Sequence, residues 1–279
     1  MRLLKIHKKT VLQVILQIII WILIFILLFP LMFTLWNAFK SHYEYTMDMW
    51  LPSLPIRFSN LGVAFGYIKD YLFNTVLVAL VGCIGMLIIS SVASYSIARI
   101  RFPGSKFCFA FVLMLMMMPG IITLVPQFLL YKALGLFDNF WALIFPIYTN
   151  GSLMSVFLFV TFFRGLPSEI FEAADIDGAD TAVKYLKIAL PLSLPILGTA
   201  AIIQIVSIWN DYLWQQVIMT EPYTIAAGLI EVFDNNREFD TKIPVVYSGY
   251  LIASSPLIIL FVAANKYYIQ GLVGSAIKM

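Results

Sequence analysis

Charged residues are absent from six long stretches of the chain: residues 10–39, 71–98, 107–131, 139–163, 188–210 and 243–265. Each holds at least 23 residues, and every other uncharged run holds 11 or fewer. A helix needs about 20 apolar residues to cross the hydrocarbon core of a bilayer. Barrel strands, in contrast, alternate in segments of about 10 residues. The pattern therefore predicts an all-α integral membrane fold with six transmembrane helices, over roughly 11–37, 71–98, 107–130, 139–163, 189–213 and 243–265. The first run follows Lys5, Lys8 and Lys9 and starts like a signal peptide. It is too long for one and lacks a small-residue cleavage site, so it reads as a retained first helix. Residues 1–9 form an N-terminal tail, and 10–279 a single transmembrane domain.

Composition agrees with a lipid environment. Of 279 residues, 61% are hydrophobic and 12% charged, about half the charged share of soluble domains. A soluble chain of this kind would expose large apolar patches. If the N-terminus is cytoplasmic, inner segments carry twelve Lys and Arg and outer segments six. The positive-inside rule then places both termini in the cytoplasm. The net charge of +3 reflects this bias and calls for no nucleic acid. Cys83 and Cys108 read as free apolar fillers.

Catalytic equipment is scarce. The histidines are His7 and His42, and no His/Cys cluster has metal-ligand spacing. No glycine precedes a lysine, so there is no phosphate loop of the Walker type. No catalytic residue, metal site or cofactor is therefore assigned. Ion-coupled carriers keep ionisable groups at mid-membrane, and here only Asp211, in "WNDYLW", lies near a span. It reads as an interfacial carboxylate flanked by Trp209 and Trp214 at the headgroups; the alternative is a polar group lining an outer vestibule. Pro30, Pro119, Pro126, Pro146, Pro195 and Pro256 fall within the spans, and each can kink its helix. "MMPG" at Met117–Gly120 predicts a bend in the third.

Between the fourth and fifth spans lies "EIFEAADIDGADTAVKYLKIALPL", Glu169–Leu192, with five carboxylates. Pro167 and Ser168 signal a helix start. Ile170, Ala173 and Ala174 recur at helical spacing and predict one face of small and apolar groups. Gly178 predicts a left-handed cap, and Asp180 caps a second helix. Ala182, Tyr185, Leu186 and Ala189 predict a buried stripe on it. The five acids disfavour a linker resting on an anionic leaflet. A docking element for a cytoplasmic partner fits better.

"EAADIDGA", Glu172–Ala179, followed by Ile188, Ala189, Leu190 and Pro191, resembles the signature loop of bacterial ABC importer permease subunits. "PGIITLVPQFLLYKALGLFDNFWALIFP", "WNDYLW" and "YYIQGLVGSAIK" resemble the carbohydrate-type, six-span permeases of that family. The resemblance implies a coupling-helix hairpin between helices 4 and 5, seated in a groove on a separate ATP-binding subunit. Glu172, Ala173, Ala174, Asp177, Gly178 and Ala179 would make that contact, with Leu190 and Pro191 linking it to the fifth span. It implies a second homologous permease chain, two ATP-binding subunits that hold ATP and magnesium, an extracytoplasmic solute-binding protein and a sugar substrate. The location implied is the bacterial inner membrane, among membrane lipid. No substrate residue is assigned.

The stretch from Glu221 to Lys242 is too polar for lipid and long for a connection. In the resembling subunits it reaches into the binding protein, which implies contact through Phe233, Asp234, Asn235, Asn236 and Arg237. The plainer reading is a solvated loop. Two rival functions predict other features. An ion-coupled secondary transporter needs mid-membrane charge, and an integral membrane enzyme needs interfacial catalytic groups.

Overall fold

The computed structural model describes residues 2–100, 102–234 and 236–276, with side chains over 13–100, 102–234 and 236–264. Helix α1 covers Arg2–Ala38, α2 His42–Met47 and α3 Ser59–Arg99. Then come α4 (Ser105–Met116), α5 (Gly120–Ala133), α6 (Phe140–Arg164) and α7 (Ser168–Ile176). Helix α8 (Thr181–Lys184) runs through a π turn (Tyr185–Ala189) into α9 (Leu190–Leu192) and α10 (Leu194–Asn210). Helices α11 (Leu213–Ile218) and α12 (Ile225–Leu229), a second π turn (Ile230–Asp234) and a 3-10 turn (Arg237–Thr241) precede α13 (Ile243–Ala276). No strand occurs among the described residues.

Four of the six expected spans are single helices long and apolar enough to cross a bilayer: Gln13–Ala38, Ser59–Arg99, Phe140–Arg164 and Ile243–Ala264. The third and fifth are broken. Helices α4 and α5 meet at 100°, and Thr181–Leu192 meets Leu194–Asn210 at 71°. The first break falls at Met117–Pro119, where "MMPG" predicts it. There Pro119 takes an extended ψ of 127° and heads α5. The second falls at Ser193, between Pro191 and Pro195. Pro30, Pro126, Pro146 and Pro256 lie inside continuous helices. Helix α3 is longer than its apolar run. Its 41 residues reach about 60 Å at 1.5 Å per residue, twice the hydrocarbon thickness. Lys69 and Asp70 end the uncharged run but not the helix.

The chain divides into two compact units, residues 1–68 with 232–254, and residues 69–231 with 255–279. In the first unit, the most apolar window of α1 has none of its residues buried within the chain. Leu27 is 73% exposed and Trp21 63%, so this helix is covered by lipid or another chain. The end of α1 is tied by polar bonds. Asn37 Nδ2 donates to Met49 O at 3.0 Å and Asn60 Nδ2 to Ala38 O at 2.9 Å. Ser248 Oγ donates to Ala38 O at 2.8 Å. Lys40 is buried, and its ammonium donates to Asp48 O at 2.7 Å. Ser41 and Glu44 form a capping box at the start of α2, each satisfying a donor the helix start leaves free.

The second unit is built on α3, α6 and α10. One cluster gathers Val78, Met86, Ile144, Ile147, Ile208, Trp214 and Ile218, and another Tyr95, Phe159, Phe163, Phe171, Ala189, Ile196 and Ala200. Tyr148 crosses from α6 onto α3, where a Cβ on Gly85 would overlap its ring. Its hydroxyl donates to Val81 O at 3.1 Å. Pro146 has no N–H, so the carbonyl of Ala142 one turn earlier loses its helical donor. The indole of Trp214 supplies the replacement at 2.9 Å, while its ring packs edge-on against Tyr131. Trp209 and Trp214 are therefore core residues, 7% and 9% exposed; this corrects the reading of both as headgroup anchors. Cys83 is buried and Cys108 exposed, and both are free thiols.

Replacing Trp214 with Phe keeps the ring but leaves the Ala142 carbonyl bare, at a cost of roughly 1–3 kcal/mol. In Pro146→Ala, residue 146 regains an N–H for that carbonyl. Trp214→Phe is therefore expected to lower the unfolding temperature of the detergent-solubilised protein less in the Pro146→Ala background. Strictly additive losses in this double-mutant cycle would rule out the substitution of donors.

Candidate functional site

The segment after α6 folds as a helix–turn–helix. The turn is a Schellman arrangement: Ala179 N donates to Ala174 O at 2.9 Å and Gly178 N to Asp175 O at 3.1 Å. Gly178 has φ +76°, and no atom lies within 4 Å of where a Cβ would stand. The glycine is thus required by backbone conformation and not by crowding. Asp180 caps α8, its Oδ1 accepting from Val183 N at 2.7 Å. The Lys184 ammonium pairs with the Asp175 carboxylate across the turn. That carboxylate holds the Lys184 pKa above its ordinary value.

The inward face differs from the one expected on α7. Phe171 is the buried residue there, and Ile170 is 40% exposed. The Arg99 guanidinium stacks 4.3 Å from the Phe171 ring and donates to Leu166 O at 2.5 Å. One cation thereby joins the ends of α3 and α6 to α7. Ala174 is half-buried on the same side. Glu172, Ala173, Asp177 and Gly178 are exposed, Ala179 is half-buried, and Ile176 is 87% exposed. The structure therefore brings Glu172, Ala173, Asp177 and Gly178 together on an open surface that includes Ile176, which the sequence pattern does not single out.

The stripe expected on α8 is also corrected. Ala182 is exposed and Leu186 is 57% exposed, whereas Tyr185 and Ile188 are half-buried and Ala189 buried. The π turn Tyr185–Ala189 adds a residue to the turn, so the 3.6-residue period fails across it. Tyr185 shares a hydrogen bond with the Ser91 hydroxyl at 2.8 Å and lies against Tyr95. Leu190 and Pro191 sit in α9, just before the break, where Ser193 Oγ donates to Leu190 O at 2.8 Å.

The stretch 221–242 is folded. In the second unit, Ile225 N donates to Thr75 Oγ1 at 2.7 Å, and Gln215 Oε1 accepts from Thr224 N at 3.0 Å. In the first unit, Phe233 is buried against Phe239 at 4.9 Å between centroids, and a Cβ on Gly249 would overlap its ring. Phe233 is thus an anchor, which corrects its assignment as a contact residue. Asp234 accepts from the Tyr250 hydroxyl at 3.2 Å. Asp234, Asn236 and Arg237 are exposed, and Asn235 lies outside the described residues.

A cavity of about 540 Å³ opens in the second unit between α6 and α10. Its polar lining comprises Asn150, Gln204, Ser207, Asn210, Asp211 and Gln215, and no Lys, Arg or His lines it. Asp211 belongs to this cavity, which favours the vestibule reading. The other five are neutral and sit in apolar runs, so nothing in the charge pattern marks them. Among the described residues, no group of three His, Cys, Asp or Glu side chains is placed to hold a metal ion.

Residues 87–273 match the family of binding-protein-dependent transport system inner membrane components. The chain is 32% identical over 208 residues to the maltodextrin transport system permease protein MdxG of Bacillus subtilis, covering 74% of each chain. It is 31% identical over 207 residues to the arabinooligosaccharides transport system permease protein AraQ of Halalkalibacterium halodurans, covering 74% of this chain and 72% of that one. Its fold matches a chain of a bacterial ABC transporter involved in the import of the acidic polysaccharide alginate. That match has a TM-score of 0.84 at 22% identity, over 94% of this chain and 98% of the other.

Phe233→Ala is expected to destabilise the protein by roughly 3–5 kcal/mol, as emptied aromatic core sites do. Arg237→Ala is expected to stay within about 0.5 kcal/mol, as exposed sites do. Thermal unfolding of both variants in one detergent separates anchor from surface. Equal shifts would refute the division.

Proposed function

Because this chain belongs to the family of binding-protein-dependent transport system inner membrane components, we propose that it is a permease subunit of an ABC importer for sugars or oligosaccharides. It works in the inner membrane with a second homologous permease chain, two ATP-binding subunits and an extracytoplasmic solute-binding protein. ATP and magnesium belong to the ATP-binding subunits, and this chain catalyses no reaction. The six spans are α1, α3, the α4–α5 pair, α6, the α9–α10 pair and α13, with both termini cytoplasmic. The names of MdxG and AraQ support a saccharide substrate.

The observation that carries the reading is the two-sided α7–α8 hairpin. One side is fixed to the membrane helices through Phe171 and Arg99. The other presents Glu172, Ala173, Asp177, Gly178 and a nearly bare Ile176. Small residues around an exposed apolar side chain suit a groove on a partner. The turn is fixed by the Schellman bonds, the Asp180 cap and the Lys184–Asp175 pair, so it moves as one piece. Closure of the two ATP-binding subunits displaces the hairpin. The π turn and the break at Ser193 pass that displacement to α10, with Leu190 and Pro191 at the joint. Helix α10 lines the cavity with α6, so access to it changes side. Amides and hydroxyls there suit the hydroxyls of a neutral saccharide. The exposed Asp234, Asn236 and Arg237 make the contact with the binding protein.

The test is the assembled complex in liposomes, with ATP hydrolysis followed while candidate sugars are added with the binding protein. A neutral oligosaccharide is expected to raise the rate, and ATP-independent transport by this chain alone would refute the proposal. Gly178→Val strains the turn by roughly 1 kcal/mol or more and is expected to uncouple hydrolysis from substrate or release the ATP-binding subunits. Gly178→Asn, which tolerates the left-handed conformation, is expected to retain most of the coupling. Normal coupling in Gly178→Val would remove the hairpin from the mechanism.

A further inference from the structure

A hollow of about 580 Å³ lies in the second unit where the end of α3, the start of α4 and the end of α6 meet. Arg99, Lys106 and Arg164 line it, with Ser105 and Phe109, and no carboxylate does. The ion pairs among the described residues are Arg57–Glu44, Lys184–Asp175 and Lys242–Glu238. None of them neutralises this cluster.

The helix dipoles account for two of the three cations. Arg99 and Arg164 end α3 and α6, where positive charge offsets the partial negative charge of the last carbonyls. Lys106 is different. It sits in the first turn of α4, at the positive end of the dipole, and the N-cap is Gly104 with no side-chain cap. A lysine and a helix start without a side-chain cap in one place both call for an anion. Arg99 adds to this, because its Nε is buried without a hydrogen-bond partner among the described residues. Arg164 is held over the Phe109 ring at 4.6 Å, so its charge is positioned and not trailing in solvent.

The surroundings select the source of the anion. Helix α4 is part of an apolar crossing segment. On it Phe107 and Phe111 stack on each other and are 68% and 49% exposed. The hollow itself is walled by Ile97, Ile100 and Phe109 and lies where a crossing segment begins, at the depth of headgroups. We propose that it binds the phosphodiester of an anionic glycerophospholipid. Lys106, Arg164 and the start of α4 meet the phosphate, and the acyl chains run on along the exposed apolar surface of α4. Basic recesses between membrane helices recognise lipid headgroups in this way.

The protein, with whatever subunits co-purify, is delipidated into a neutral detergent. Native mass spectrometry then follows binding of phosphatidylglycerol, phosphatidylcholine and inorganic phosphate. One phosphatidylglycerol is expected to bind more tightly than phosphatidylcholine. The double variant Lys106→Gln/Arg164→Gln is expected to weaken it about thirtyfold, given the strength of a cation near an anionic membrane surface. The charge-keeping Lys106→Arg/Arg164→Lys variant should retain it. Equal binding of the two lipids, an unchanged double variant, or tight inorganic phosphate without lipid preference would overturn the proposal. A second measurement needs no variant. Phosphatidylglycerol with a headgroup diazirine should label the wild-type chain around 105–109 and 164, and labelling spread evenly over the exposed helices would overturn it as well.

Discussion

A backbone carbonyl that loses its donor within a bilayer has no water to turn to, so the chain itself must supply the replacement. That constraint organises the second unit. Pro146 releases the Ala142 carbonyl, and the Trp214 indole takes it from a helix 72 residues later. The bond fixes α11 against α6, which places Asp211 and Gln215 at the cavity that α6 and α10 line. Threonines elsewhere in the spans bond back by one turn, Thr34 to Pro30 O at 2.9 Å, Thr149 to Phe145 O at 3.1 Å and Thr199 to Pro195 O at 3.1 Å, which satisfies each hydroxyl within its own helix.

Much of this is legible in the sequence alone. Charge-free runs mark the spans because desolvating a charge costs several kcal/mol. Gly178 and Asp180 announce the hairpin because their roles are local, set by one φ and one side-chain bond. What stays hidden depends on tertiary packing. On α7 the choice between Ile170 and Phe171 turns on Arg99, 72 residues earlier, whose flat cation selects an aromatic ring. On α8 a π turn breaks the period that the stripe reading assumes, and its cause is not local either: Tyr185 is drawn to Ser91 and Tyr95. Trp214 looks like an interfacial tryptophan until the carbonyl it serves is located. Phe233 looks like a contact residue in a polar loop until Gly249 is found beneath its ring. The neutral amides of the cavity leave no mark in charge or periodicity.

The hairpin and the broken span that follows it differ in how their backbones are held, and the stiff part and the part that can bend are built from different chemistry. Stiffness comes from hydrogen bonds that close on themselves within Ala173–Val183. Bending comes from Tyr185–Ser193, where a π turn, two helix ends and two flanking prolines leave the backbone ladder discontinuous. Phe171 and Arg99 tie α7 to the ends of α3 and α6, and the cluster around Phe171 takes in Ile196 and Ala200 of α10. The hairpin is thus packed against the same helices that line the cavity. That cavity lies between α6 and α10, so the direction α10 takes after the break at Ser193 sets its width.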